Sequence, residues 1–301
     1  MELAFERAGS GPPLVLLHGV GHRRQAWGAV LDRLTPHREV IAVDLPGHGE
    51  SPALPAGATP VLEVMLGAVT LLLDDLGLDR PHIAGNSLGG RLALEAAVMG
   101  RAASVTALSP AGFWRSDREA RLARATFRVM EAGSLLQPMA RVLARFTLGR
   151  AVVYGAVISR PSRMTAEQAA GDMAAFLAAR PALHLVLTQM TQFSGTVPDD
   201  IPVTIAWGTR DRLLPQRQVL VAKACLPDAR FLPLRGCGHV PMTDDPALVS
   251  DVLLQGSSSR PRRSGSPGGC GPGAAWQARG TAAGGSAAQS AAAPRDTVTG
   301  R

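Results

Sequence analysis

A serine framed by glycines, at Gly85-Asn86-Ser87-Leu88-Gly89-Gly90, constrains this chain more than any other stretch because of what flanks it. Upstream, Leu78 to Ala84 reads as a short strand entered after Pro81, and downstream Arg91 to Ala97 is made of strong helix formers. Gly-x-Ser-x-Gly between a strand and a helix is a nucleophile elbow. The turn is so sharp that neighbouring positions have no room for side chains, hence Gly85 and Gly89. It lifts the Ser87 hydroxyl clear of the sheet. A serine hydroxyl attacks well only when a base takes its proton, so the position of a base decides the matter.

The rest of the pattern predicts a sheet beneath that elbow. Pro13–Leu17 and Val40–Asp44 are continuous apolar runs, as expected for strands buried on both faces of a parallel sheet, with a helix over about 25–35 between them. Leu3 to Arg7 reads as a short first strand, Val61 to Leu76 as a helix, and Ser104 to Leu108 as a further strand. The strand pattern returns at Pro202–Trp207 and Ala229–Leu234, followed by a helix over Pro246–Gln255. Strands alternating with helices predict an α/β fold with a mostly parallel, doubly wound sheet. Sites in such sheets gather at the carboxyl ends of the strands.

Between Phe113 and Thr196 strand signals vanish and stretches rich in Ala, Arg and Leu take over, with breaks expected at Gly133, Gly149, Pro161 and Pro181. The expected organisation is a core over 1–112 and 197–255, a helical cap over 113–196, and a low-complexity tail over 256–301. The tail is Gly, Ser, Ala, Pro and Arg with Trp276 as its one large apolar residue, a composition expected to be disordered.

Charge and composition exclude several classes. Of the net charge of +7, residues 256–301 carry six arginines against Asp296, which leaves only +2 for the remainder. The folded part therefore has no electrostatic footprint for nucleic acid. No run of apolar residues is long enough for a membrane span. The first residues lack the basic-then-apolar order of a signal peptide, so a cytoplasmic protein is expected. Cys225, Cys237 and Cys270 are too few and too scattered for a disulfide framework or a zinc site.

Two loops offer partners for Ser87. His239 lies in Gly236-Cys237-Gly238-His239-Val240 after the last strand, and Asp211 in Trp207-Gly208-Thr209-Arg210-Asp211 after the strand before it. Both fall at the same sheet edge as the elbow. In the order Ser87, Asp211, His239 they are nucleophile, acid and base: His239 takes and returns the proton, and Asp211 fixes its tautomer. A helix N-cap role for Asp211 competes, since Arg212 to Lys223 looks helical. Asp199, Asp200, Asp244 and Asp245 are poorer acids by position. Attack on a carbonyl also needs two N–H donors for the oxyanion, and Leu88 at the start of the elbow helix and Val20 after His18-Gly19 are the expected pair. His18, Gly19, Gly85, Asn86 and Gly89 are expected to support the elbow and the oxyanion loop. The same holds for His48 in its turn. Arg115, Arg118, Arg121 and Arg128 are expected on a solvated helix face.

With His18-Gly19 and Trp27, Asp44-Leu45-Pro46-Gly47-His48-Gly49-Glu50-Ser51, the elbow, Trp207 to Asp211 and Gly238-His239 in order, the chain resembles the α/β-hydrolase superfamily over about residues 3–255. It is most similar to the cap-bearing, esterase-like branch. That family usually begins with one more strand, so the first strand here is expected to be truncated. The resemblance implies a serine hydrolase of a small carboxylic ester, acting through an acyl-enzyme and needing no metal or organic cofactor. A carbon–carbon bond hydrolase of ring-fission products shares this elbow, but such enzymes usually carry tryptophan after the histidine, where this chain has Val240. Acyltransfer or peroxide chemistry on the same triad, and a non-catalytic binding protein, complete the alternatives.

Overall fold

The apolar runs form the centre of a seven-stranded sheet in the structure, a computed structural model that describes residues 1–134 and 137–258. The elements follow as β1 Phe5–Ala8, β2 Pro13–Leu17, α1 Gly28–Leu34, β3 Glu39–Val43, α2 Val61–Asp75, β4 His82–Asn86, α3 Leu88–Val98 and β5 Ser104–Leu108. Five helices come next: α4 Asp117–Ser134, α5 Gln137–Ala144, α6 Thr147–Tyr154, α7 Ala166–Ala178 and α8 Arg180–Gln189. The sheet then resumes with β6 Val203–Gly208, α9 Val219–Cys225, β7 Arg230–Leu234, α10 Pro241–Asp244 and α11 Pro246–Gly256.

The strand order is β1-β3-β2-β4-β5-β6-β7, and every pairing is parallel except β1 with β3. Sequence order reverses direction between β2 and β4, which opens a crevice at their carboxyl ends. The loops carrying His18 and Ser87 flank it. Central strands show the burial that their uninterrupted apolar sequence demands: Val15, Leu16, Leu17, Ile83, Ala84, Val105 and Ala107 have no exposed surface. β1 is exposed at all four residues and lies at the sheet edge. This matches the short first strand read from the sequence.

The helices α4–α8 all lie between β5 and β6, and both ends of this insertion are pinned to the core. Phe113 at its entry and Phe193 at its exit are buried with ring centroids 5.4 Å apart. The Phe193 N–H donates to the Gly112 carbonyl at 2.8 Å, and the Arg91 guanidinium lies 5.3 Å over the Phe193 ring. Burial of each ring contributes about 1.5–3 kcal/mol. α7 starts on a capping box in which Thr165 Oγ accepts from Gln168 N–H at 3.0 Å and Gln168 Oε1 from Thr165 N–H at 2.9 Å.

Three local expectations change. Gly149 does not break a helix but lies inside α6, where a Cβ would overlap the backbone of Leu143; the glycine permits close packing of α6 on α5. The break expected at Pro181 is present, between α7 and α8, with Pro181 in the first turn of α8, a position that needs no N–H. The helix expected over Arg212–Lys223 starts later, because Pro215 precedes a single 3₁₀ turn at Gln216–Gln218 before α9. The last helix also runs one residue past its expected end, to Gly256, and beyond it Ser257 Oγ and Ser258 Oγ accept from Arg38 at 3.0 and 2.7 Å. The rest of the expected tail lies outside the described residues. Among those described, no single helix is long and apolar enough to cross a membrane.

Candidate active site

Ser87 joins β4 to α3 with φ 55° and ψ −113°. Positive φ in a residue with a side chain costs about 1–3 kcal/mol, so the surroundings must enforce it. Its N–H donates to Leu108 O at 2.9 Å, and its carbonyl accepts from Arg91 N–H at 3.0 Å and Ala111 N–H at 3.1 Å. The flanking glycines are steric necessities: a Cβ on Gly85 would overlap the backbone of Gly89, and one on Gly89 would overlap the Leu17 and His18 carbonyls. Leu88 is the first residue of α3, so its N–H has no carbonyl four residues back within the helix.

Asp211 follows β6 and His239 follows β7, and the two side chains meet. His239 Nδ1 donates to Asp211 Oδ2 at 2.8 Å, with both side chains buried. The other carboxylate oxygen, Oδ1, accepts from the N–H groups of Leu213 at 3.0 Å and Leu214 at 2.8 Å. Capping the turn and contacting the histidine are therefore compatible, one on each oxygen. The far histidine nitrogen, Nε2, is buried without a hydrogen-bond partner, Ser87 Oγ included. Asn86 ties the pieces together: its Nδ2 donates to Leu108 O at 3.1 Å and to the His239 carbonyl at 2.9 Å.

His18 lies directly behind the loop that carries Gly19 and Val20. Its Nδ1 donates to Gly19 O at 2.8 Å and its Nε2 accepts from Leu45 N–H at 3.0 Å, which requires the neutral ring. Burial, then the neighbouring His48, hold its pKa well below the ordinary histidine value. His48 is pushed down to about 4, chiefly by burial. Its Nδ1 donates to Pro46 O at 3.0 Å.

Ser87, His239, Val20 and His22 line a cavity of about 430 Å³ roofed by side chains of α4 to α7, among them Phe127, Met130, Tyr154 and Phe176. Its lining is mainly aliphatic and aromatic, a surface that suits an apolar ligand. A family model described as the alpha/beta hydrolase family matches residues 14–252. The chain belongs to that family. This α/β-hydrolase is 32% identical over 267 residues to a pimeloyl-[acyl-carrier protein] methyl ester esterase of Xanthomonas axonopodis pv. citri, covering 84% of this chain and 98% of the esterase. It is 28% identical over 269 residues to an uncharacterized protein of Mycobacterium tuberculosis, covering 83% and 76% of the two chains. A thermophilic esterase from Thermogutta terrifontis shares the fold with a TM-score of 0.64 at 23% identity, over 84% of this chain and 92% of that one.

Two further buried carboxylates of the hydrolase, Asp244 and Asp44, have structural roles around the site that their sequence positions did not reveal. Asp244 has no exposed surface, and its carboxylate accepts from the N–H groups of Gly238 at 2.7 Å, Arg160 at 2.5 Å and Ser159 at 3.1 Å. It staples the histidine loop to the end of the helical insertion. That seam continues where the N–H groups of His239 and Val240 both donate to Val157 O, at 2.8 and 3.0 Å. On the opposite side of the crevice, buried Asp44 accepts from Arg24 N–H at 2.6 Å and Glu50 N–H at 3.0 Å and pairs with the Arg24 guanidinium. Cys237 is buried beside His239, and burial with Asp244 and Asp245 pushes its thiol up to about 12, which opposes redox chemistry at that position. Arg115, Arg118, Arg121 and Arg128 are exposed, as expected. Among the described residues no group of three His, Cys, Asp or Glu side chains could hold a metal ion.

Proposed function

We propose that this α/β-hydrolase is a serine esterase that cleaves a small carboxylic ester through an acyl-enzyme. The observation that carries the proposal is the pairing of Asp211 with His239 Nδ1 at 2.8 Å, which leaves Nε2 buried and unpartnered in the cavity shared with the strained Ser87. The relationship to a methyl ester esterase supports an ester as the bond attacked.

In the proposed mechanism His239 Nε2 removes the Ser87 proton as Oγ adds to the ester carbonyl. The negative charge formed on the carbonyl oxygen is held by the N–H groups of Val20 and Leu88. Each such donor contributes about 10²–10³ in rate. Collapse expels the alcohol, which takes the proton from His239, and leaves the acyl group on Ser87. Water, deprotonated by His239, adds to that acyl group; collapse releases the acid and returns the proton to Ser87. Asp211 stabilises the imidazolium at both stages and holds its tautomer. His18, Gly19, Gly85, Asn86 and Gly89 fix the positions of these groups, and α4–α8 serve as the cap that excludes water and selects the substrate.

Fluorophosphonate labelling tests this proposal. The expected result is a single adduct on Ser87, absent from Ser87→Ala and strongly reduced in His239→Ala. A folded wild type that takes no label refutes it.

A further inference from the structure

Eight of the thirteen large apolar side chains exposed among the described residues fall within one stretch of the chain, from Leu122 to Val152. The other five, such as Leu71 and Leu220, are dispersed along the rest of the chain, which is ordinary for a folded protein. The eight belong to α4, α5, α6 and the turn between the last two, and α5 packs against both neighbours. The exposed apolar surface is thus concentrated on one part of the cap. Four of these residues, Val129, Met139, Leu143 and Val152, also line the cavity that holds Ser87 and His239. At those positions the wall of the cavity is at the same time the outer surface of the protein.

Positive charge borders this face. On α4, Arg121 and Arg128 each stand one residue before the exposed Leu122 and Val129, and the seven-residue spacing puts both pairs on the same side of the helix, two turns apart. Arg118 lies one turn before Leu122, and Arg145 adjoins Phe146; all four arginines are exposed. α5 and α6 contain no acid. In α4, Glu119 and Glu131 pair with Arg217 and Arg180, which leaves Asp117 at the helix start.

Apolar tips bordered by guanidiniums select among occupants. A second copy of the chain, seated face to face, would set these arginines against one another, like charge on like, and would close over the cavity wall. An acidic protein would satisfy the arginines but press the aliphatic tips against a charged surface. A lipid surface with anionic headgroups takes both: the apolar tips enter among acyl chains, and the guanidiniums stay at headgroup level with their stems along apolar surface. An ester dissolved in that lipid meets the cavity wall directly. Resting on the serine-esterase reading above, we propose that the α4–α6 face docks on an anionic lipid surface and that the ester cleaved at Ser87 is an apolar one drawn from that surface.

Co-sedimentation of the full chain with vesicles tests this, comparing mixed phosphatidylcholine and phosphatidylglycerol with phosphatidylcholine alone. Four arginines at about fivefold each give an expected preference for the anionic vesicles of about 10²–10³-fold. Arg121→Gln combined with Arg128→Gln lowers partition onto them about 30-fold. Phe146→Ser combined with Leu148→Ser lowers partition at least about 10-fold, the worth of one buried apolar side chain. Phe146 and Leu148 are 64% and 83% exposed and, like the two arginines, do not line the cavity. Both double variants should therefore hydrolyse water-soluble nitrophenyl acetate as wild type does, while their rates on nitrophenyl octanoate carried in anionic vesicles fall with partition.

Partition unchanged by the Phe146 and Leu148 substitutions places the binding elsewhere, for instance in the arginines of 260–301, and overturns the proposal. Loss of partition with undiminished turnover of the vesicle-borne ester overturns it too. So does a wild type that ignores vesicles but forms a dimer, or binds polyglutamate, through this face. A wild type that carries the fluorophosphonate label on Ser87 and partitions onto neither vesicle overturns the inference with the esterase reading intact. Partition as expected without any label supports the docking and refutes the esterase reading.

Discussion

Asp211→Asn separates two jobs that one carboxylate performs. An asparagine there has one oxygen and one NH2 group to distribute between the Leu213 and Leu214 N–H groups and His239 Nδ1. Turning the NH2 toward the backbone would orphan two buried donors, at about 1–3 kcal/mol each, or about 2–6 kcal/mol in all. The oxygen therefore stays on the turn, and the NH2 faces Nδ1. To accept from it, the imidazole must carry its proton on Nε2, which then has no lone pair for the Ser87 proton. In a comparable triad the wrong tautomer costs about 10⁴ in kcat. The variant should hence keep its fold, with the midpoint of thermal unfolding within about 4 °C of wild type, while ester turnover falls about 10⁴-fold. Asp211→Ala should lose about 2–6 kcal/mol of stability as well, because both N–H groups are stranded. Initial rates on a nitrophenyl ester, thermal melts, and nitrogen-15 spectra of the imidazole read the three quantities separately. Retention of more than about a tenth of wild-type turnover by Asp211→Asn would refute the reasoning.

Three further outcomes follow from neighbouring features. Asp244→Asn, offering one oxygen to three backbone donors, should cost about 3 kcal/mol and lower the melting midpoint by about 6–12 °C; a shift below about 2 °C contradicts the stapling role. Gly89→Ala, whose Cβ meets the backbone of β2, should fail to give folded protein, whereas Gly67→Ala in α2, with open space around it, should gain about 0.4–1 kcal/mol in urea unfolding. His48, depressed to about 4 in the folded state, stays neutral there while the unfolded chain takes up its proton below about 6.5. Stability is thus full above about pH 6.5 and lost as pH falls toward 4, by about 3 kcal/mol from this residue; a urea midpoint in His48→Gln that falls as steeply with acid as in wild type argues against it.

The sheet was legible in the sequence because strands buried on both faces leave uninterrupted apolar runs, as at Pro13–Leu17 and Ser104–Leu108. The elbow was legible because two glycines are forced by backbone approach within a few residues of chain. Asp211 and His239, 28 residues apart, could be matched because each follows a strand of the same sheet, and the structure brings them into contact. Asp244 was not legible. Its donors at Ser159 and Arg160 lie more than 80 residues away, across an insertion whose path the sequence does not dictate. Gly149 carries an ambiguity between helix breaking and close packing, which tertiary context resolves.

The central claim is that Ser87 carries the acyl group during turnover. Acid-quenched mass spectrometry of enzyme mixed with a nitrophenyl ester tests it most directly. The account predicts one added acyl mass, on the peptide containing Ser87, that appears within the first turnover and is absent from Ser87→Ala. Steady product release with no adduct, or with the acyl mass on any other residue, would contradict it.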